Sequence, residues 1–391
     1  MNSYQIITLF FFLFIFELVY AFFLYPWILC ILSKLFSKPV RKNLNFYPEI
    51  TVIIASYNEE NYIEDAVNSI YESGYPAELI NTLIGSDGST DNTSNVVKQL
   101  INKYPKIRLF EYPRSGKNYL LNQLVPNAET EIIFYMDADL RISYGTFNKL
   151  LSILADDDVG SVMASLKIVR YDDNTGYLGE SSYQYLETFI RRWESSIYSC
   201  TNSLGTLYCI KKEHYNALPN NLVCDDLYRI LYVSFKGKRV IFDNDSEVIE
   251  VRQKSLKGEL RRRFRLTAGS LSTIWKLKRL LLPDYGWISF FVISHKIARY
   301  ASPFMLIGIF ISSLILSAYS DLYLIFVYGQ LILYFSALIG WLFEKINIKF
   351  LPFRISLLFI TMNVSFIIGI LWFLIGGQNA KWERDDVHKN I

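Results

Sequence analysis

Four stretches of this chain are too long and too apolar for an ordinary soluble core. Residues 6–32 carry one charged side chain, Glu17, and residues 303–317 (reaching back to 298), 322–343 and 355–375 are similarly greasy. Crossing a hydrocarbon layer as a helix takes about 20 apolar residues. Backbone inside that layer has to satisfy its own hydrogen bonds, so isolated runs of this kind can only be helices there. The chain is therefore read as a soluble body between membrane helices, and a hydrophobic share of 51% over 391 residues agrees with that reading. The first run is longer than a signal-peptide core and lacks a small-residue cleavage site, so a retained anchor is expected.

Charge placement orients the body. Lys34, Lys38, Arg41 and Lys42 follow the first run; Lys254, Lys257, Arg261, Arg262, Arg263, Arg265, Lys276, Lys278 and Arg279 precede the second. The positive-inside rule then places residues 34–298 in the cytoplasm and the N-terminus outside. The 317–321 link lacks Lys and Arg and suits the outside, whereas Lys345, Lys349 and Arg354 return inside. Four crossings would leave the tail outside, yet it carries Lys381, Arg384 and Lys389. Either the last run is re-entrant or part of 285–303 also crosses. The expected division is an anchor over 1–34, a cytoplasmic domain over 48–252, basic interfacial helices over 253–300, a membrane region over 301–377 and a tail over 378–391.

Other classes are disfavoured. A net charge of +3 gives no reason to expect a nucleic-acid partner. Cys30, Cys200, Cys209 and Cys224 form no Cys-x-x-Cys pair and suggest no disulfide framework. His214, His295 and His388 are too far apart in sequence to suggest a zinc site or a His-based triad. The apolar runs contain almost no charge besides Glu17, which argues against a transporter.

Between 48 and 252 strand and helix patterns alternate. Strands are expected over 50–55, 82–85, 107–112 and 131–136. Helices are expected around Ile63, Val67 and Ile70, around Val96, Val97, Leu100 and Ile101, and over 117–124. Such alternation specifies an α/β domain with a mostly parallel sheet, which binds ligands beyond the carboxyl ends of its strands. Polar clusters stand at those ends: Ser56-Tyr57-Asn58-Glu59-Glu60, Ser86-Asp87-Gly88-Ser89, Arg114-Ser115-Gly116-Lys117 and Asp137-Ala138-Asp139. Four in register mark one rim. In a turn just past a strand, Asp137 and Asp139 can converge on one hard divalent cation, Mg²⁺ or Mn²⁺. No dinucleotide or P-loop fingerprint is present.

On these motifs the chain resembles family 2 glycosyltransferases, in the membrane-embedded branch related to cellulose, chitin and hyaluronan synthases. The resemblance covers roughly 48–300. It implies a type-A glycosyltransferase (nucleotide-diphospho-sugar transferase) domain flanked by transmembrane helices. Ser56, Asn58 and Glu59 look like the first nucleotide-contact loop, Asp87 like the ligand of base or ribose, and Lys117 like the lysine beside the nucleotide. Asp137 also falls to the donor, and Asp137 with Asp139 matches the metal-binding triplet. Gly205 and Tyr208 belong to a glycine-led strand beside the acceptor. Cys224-Asp225-Asp226-Leu227 resembles the general-base motif, with Asp226 as base and Asp225 as its acceptor-side neighbour. The segment Arg262-Arg263-Phe264-Arg265-Leu266 stands where the family often has Gln-x-x-Arg-Trp. Arg262 and Arg265 are assigned to the donor diphosphate, but Leu266 replaces the Trp that would stack an acceptor sugar, which puts processive synthesis in doubt.

The implied activity is inverting transfer from a nucleotide-sugar donor, with a UDP-sugar expected, to a polysaccharide or glycan acceptor at the bilayer. Alternatives are a single transfer to a lipid-linked acceptor, toward which a narrow bundle leans, and a non-catalytic membrane scaffold derived from the fold. Plainer roles compete at single sites. Asp225 or Asp226 can cap a helix. The arginine run can hold anionic lipid. Tyr183, Tyr185, Phe189, Trp193 and Tyr198 on a predicted helix can be core or stack an acceptor.

Overall fold

The computed structural model describes residues 1–169, 178–219, 222–251, 256–346, 348 and 350–376. Strands β1 (Ile50–Ser56), β2 (Ile80–Asp87), β3 (Ile107–Tyr112), β4 (Ile132–Asp137), β5 (Leu140–Ile142), β6 (Val159–Val169), β7 (Tyr208–Lys211) and β8 (Arg239–Val251) make one eight-stranded sheet. Its order is β3-β2-β1-β4-β7-β6-β8-β5. The β3-β2-β1-β4 half is parallel throughout. Beyond it β7 runs antiparallel to β4 and to β6, β6 and β8 are parallel, and β5 closes the edge antiparallel to β8.

The sequence explains the central strands. Every residue of β1 is buried, as a β-branched strand covered on both faces should be. Alternate side chains serve two cores. Ile50, Val52 and Ile54 pack with Ile63, Val67, Val97 and Leu150 on one face; Ile53 and Ala55 pack with Leu120, Leu124, Leu227 and Ile230 on the other. Register then aligns the strand ends: Ser56 pairs with Ser86, and Ala55 with Asp137. The loops that follow β1, β2 and β4 therefore open on one edge. The 107–112 strand and the 117–124 helix have the expected limits, while β2 is longer than the 82–85 core that apolarity alone marks.

Among the described residues four helices are long and apolar enough to cross a membrane: Ser3–Leu35, Trp287–Leu316, Leu322–Lys345 and Leu351–Leu374. Two expectations change here. The second helix starts at Trp287, so the 285–303 stretch merges into it instead of adding a crossing. That helix consequently contains buried His295, Lys296 and Arg299, so Glu17 is not the only charged group within these segments. They are tolerated because carboxylates and an amide from the soluble domain meet them. Arg354, also buried, pairs with Glu344 at 3.0 Å.

The basic helix Leu256–Lys276 lies against the last apolar helix. A Cβ added at Gly369 would come within 2.8 Å of the Phe264 carbonyl, so only glycine permits this approach. Phe264 also meets Trp372 edge-on, with ring centroids 5.3 Å apart. The tail 378–391 lies outside the described residues.

Candidate active site

At the shared strand edge the first two loops stitch to each other. Ser56 is buried, and its Oγ donates to the Gly85 carbonyl at 2.9 Å. Asn58 adopts a left-handed φ of 56° and accepts from the Thr90 amide at 2.8 Å. The Glu59 amide donates to Thr93 Oγ1 at 2.8 Å. Asp87, 1% exposed, accepts from the amides of Ser115 at 2.7 Å and Gly116 at 3.0 Å and pairs with the Arg114 guanidinium. That guanidinium lies 3.6 Å from the centre of the Tyr57 ring. Asp87 thus fixes the loop that delivers Lys117, the first residue of the helix Lys117–Leu124.

Lys117 Nζ stands 2.7 Å from Asp137 Oδ1 and 3.8 Å from Asp225 Oδ1. Burial works against its charge, but Asp137 and Asp225 hold its pKa above the usual lysine value. Asp225 and Asp226 open the helix Asp225–Phe235. Cys224 is the N-cap and makes no side-chain cap bond, so neither aspartate is the capping residue. Arg229, one turn on and 3% exposed, donates to Asp225 Oδ2 at 2.8 Å and to the Tyr208 hydroxyl at 2.5 Å, and sits over the Tyr135 ring at 4.2 Å.

The two aspartates are tuned apart. Burial favours the neutral form of Asp225, yet Lys117 and Arg229 outweigh it and hold the pKa below the usual range. At Asp226 burial and the Asp225 charge both push the pKa up, and a Ser203 hydrogen bond only partly offsets them. Such splitting of neighbouring carboxyls separates an anchored anion from a proton acceptor.

One cleft of about 460 Å³ gathers Lys117, Asp137, Gly205, Tyr208, Asp225, Asp226, Arg262 and Arg265. Ser56, Asn58, Glu59 and Asp87 stand on the same rim but shape loops instead of lining the cleft, and Asp139 sits in the turn between β4 and β5. The far end of the cleft reaches Tyr300, Met362, Ser365 and Phe366 on two apolar helices. The helix Leu178–Ile197 presents Gln184, Glu187, Thr188 and Arg191 to it. Three of its aromatic side chains are not part of the cleft lining: Tyr185, which is 68% exposed, and Phe189 and Trp193, which stack on each other. Helical period turns the Tyr185, Phe189 and Trp193 rings away from the cleft, so these three do not stack an acceptor there. The Tyr183 side chain lies outside the described residues.

Residues 51–211 match the model of Glycosyl transferase family 2. This stretch is a family 2 glycosyltransferase domain. It contains β1 to β4 and the rim loops and ends before Asp225 and Asp226. Among curated relatives, the β-monoglucosyldiacylglycerol synthase of Nostoc sp. is 23% identical over 165 residues, 41% of this chain and 35% of that protein. The poly-β-1,6-N-acetyl-D-glucosamine synthase of Staphylococcus aureus is 24% identical over 196 residues, 48% of this chain and 47% of that protein. The match thus spans about a third to a half of these relatives' lengths. Over nearly the whole chain the fold is that of the mannosyltransferase PcManGT from Pyrobaculum calidifontis, solved with GDP-Man and Mn²⁺. The TM-score is 0.72 at 22% identity, covering 95% of this chain and 98% of that one.

Sequence reasoning missed several residues around this family 2 domain. Arg229 could have been found from its i+4 spacing to Asp225. Glu187, Arg191 and Glu194 share a helical face by the same rule. Ser203, Asn202 and Lys296 carry no local signal, since only folding brings them to Asp226 or to one another.

Proposed function

We propose that the chain is an inverting glycosyltransferase that moves a sugar from a UDP-linked donor to a lipid-linked acceptor at the membrane. The observation that carries this reading is the single cleft joining Lys117, Asp137 and Asp226 to Tyr300, Met362 and Phe366 on candidate spans. Such a cleft suits an acceptor whose reactive hydroxyl reaches Asp226 while its apolar part stays among the helices. The basic residues flanking the spans support a cytoplasmic catalytic domain in the cell membrane.

In this mechanism Lys117, Arg262 and Arg265 face the donor diphosphate. Asp226 takes the proton of the acceptor hydroxyl as its oxygen attacks the anomeric carbon from the side opposite the diphosphate. The new glycosidic C–O bond forms, the bond to the diphosphate oxygen breaks, and the configuration inverts. Asp225, held anionic by Arg229 and Lys117, keeps Asp226 basic.

Among the described residues no group of three or more His, Cys, Asp or Glu side chains forms a ready metal cage. The donor set nonetheless fits a hard cation. Asp137 lines the cleft with its side chain 36% exposed, and Asp139 follows in the next turn. Mg²⁺ commonly takes one or two carboxylates and completes its shell with water and substrate phosphates. Asp137 and Asp139 would hold it, and the ion, when bound, would offset charge building on the diphosphate.

The test is a panel of radiolabelled UDP-glucose, UDP-galactose, UDP-N-acetylglucosamine and GDP-mannose incubated with membranes containing the chain. Label in a small organic-extractable product is expected. A water-soluble polymer would favour the polysaccharide reading, to which the S. aureus relative's name points, and no transfer from any donor would remove the proposal.

A further inference from the structure

Segment 201–206 runs between Asp226 and the membrane helix Trp287–Leu316, and charged side chains pin it. Asn202 is gripped at both ends of its amide: Nδ2 donates to Glu187 Oε2 at 2.9 Å, and Oδ1 accepts from Lys296 Nζ at 2.9 Å. The Thr201 amide and hydroxyl both donate to Glu194 Oε2 at 2.9 Å. Glu194 and Glu187 each engage one nitrogen of His295, at 2.7 Å and 3.1 Å, and Arg299 also pairs with Glu187. Through its two ring nitrogens His295 ties the helix Leu178–Ile197 to the Trp287–Leu316 helix.

The pinned segment touches the reacting end of the site. Ser203, next to Asn202, lines the cleft together with Asp226 and helps hold that carboxyl's pKa down. Gly205 has a φ of 66°, and a Cβ there would lie 3.4 Å from Asp226 Oδ2, so this backbone packs against the carboxylate. Lys296 is only 6% exposed, and among the described residues the hydrogen bond it makes goes to Asn202. Burying an ammonium without a partner is costly, which locks the amide orientation. Hydrogen bonds to charged groups at both ends are the stronger kind and fix an amide more firmly than neutral ones.

We propose that Asn202 is a positioning residue for Asp226, clamped between Glu187 of the soluble domain and Lys296 of the membrane helix. The base is held in place only while that helix is docked. This inference rests on Asp226 being the base.

The test uses the full chain in detergent micelles with the donor that turns over in the panel above, reading nucleoside diphosphate release, together with UDP binding by calorimetry. Asn202→Ala and Lys296→Met should each lower kcat about 100-fold while leaving donor KM and UDP affinity within about twofold, as expected when a catalytic group is misplaced by an ångström or so. The acid limb of the pH profile should move to higher pH, because Ser203, displaced with Asn202, no longer helps hold the Asp226 pKa down. Lys296→Arg should recover most of the rate. If Asn202→Ala fails to fold, as judged by size exclusion, the Lys296→Met and Lys296→Arg pair carries the comparison. Wild-type kcat and pH profile in the variants, with Asp226→Asn inactive, overturn the positioning role alone. So does a loss of UDP binding in step with turnover. An active Asp226→Asn instead overturns the assignment of the base beneath it.

Discussion

Lys117 and Asp137 meet 2.7 Å apart where the third rim loop faces the end of β4. The same ammonium reaches toward Asp225 at 3.8 Å, so one cation ties the donor side of the cleft to the helix bearing the candidate base. Lys117→Met should therefore affect two functions. UDP affinity should fall, and kcat should fall as well, by about 100-fold, the scale seen on removing one electrostatic stabiliser. Calorimetry and steady-state kinetics on the same sample check it.

Asp226 gives a signed pH dependence. Burial and the Asp225 charge raise its pKa in the folded chain above the ordinary aspartate value near 3.9. A base works only when ionised, so the acid limb of kcat/KM should fall above that value. Stability runs the other way. The native state binds this proton more tightly than the unfolded chain does, so the stability present at low pH is lost as pH rises through the folded value. Asp226→Asn should abolish transfer, retain UDP binding and raise the melting temperature at pH 7.

Asp225 has the opposite sign. Lys117 and Arg229 overcome burial and depress its pKa, so its contribution is present above the ordinary aspartate value and fades as pH falls through the folded one. Arg229→Met removes a buried partner and strands this carboxylate. A loss of about 3 kcal/mol is expected, and denaturant titration in micelles would measure it. Arg229→Lys should restore part of the stability, because its ammonium can still pair with Asp225 but lacks the planar guanidinium that sits over the Tyr135 ring.

Metal use is tested by removal. Turnover should stop in EDTA and return with Mn²⁺ or Mg²⁺ in excess. Asp137→Asn should raise the metal concentration needed for half-maximal rate. Full activity in EDTA would discard the metal role of Asp137 and Asp139.

Gly205→Ala tests the contact over Asp226. Its φ of 66° is poor for alanine, and the new Cβ would sit in van der Waals contact with Asp226 Oδ2 at 3.4 Å, so backbone relaxation there shifts the carboxylate's surroundings. A stability loss of about 1 kcal/mol is expected from the backbone alone. Turnover should fall further than that figure implies, with UDP binding intact.

Much of this molecule could be read from local pattern. The run Ile50 to Ala55, the helix from Lys117 to Leu124 and the apolar stretches around Phe11 and Val327 each announce themselves by period and composition. The rim clusters follow from them, because parallel strands in register end together. Even Asp225 and Asp226 open a helix where the motif placed them.

What tertiary structure decided is which distant groups share space. Lys117 meets Asp137 across 20 residues of chain, Asn202 meets Lys296 across 94, and His295 meets Glu187 across 108. Hydrophobic periodicity reports only which face of an element is buried; it says nothing about which other buried face lies opposite. Once the sheet closed and the Trp287–Leu316 helix docked, charged residues far apart in the sequence became one compensated cluster beside the cleft, because buried charges persist only where partners converge on them.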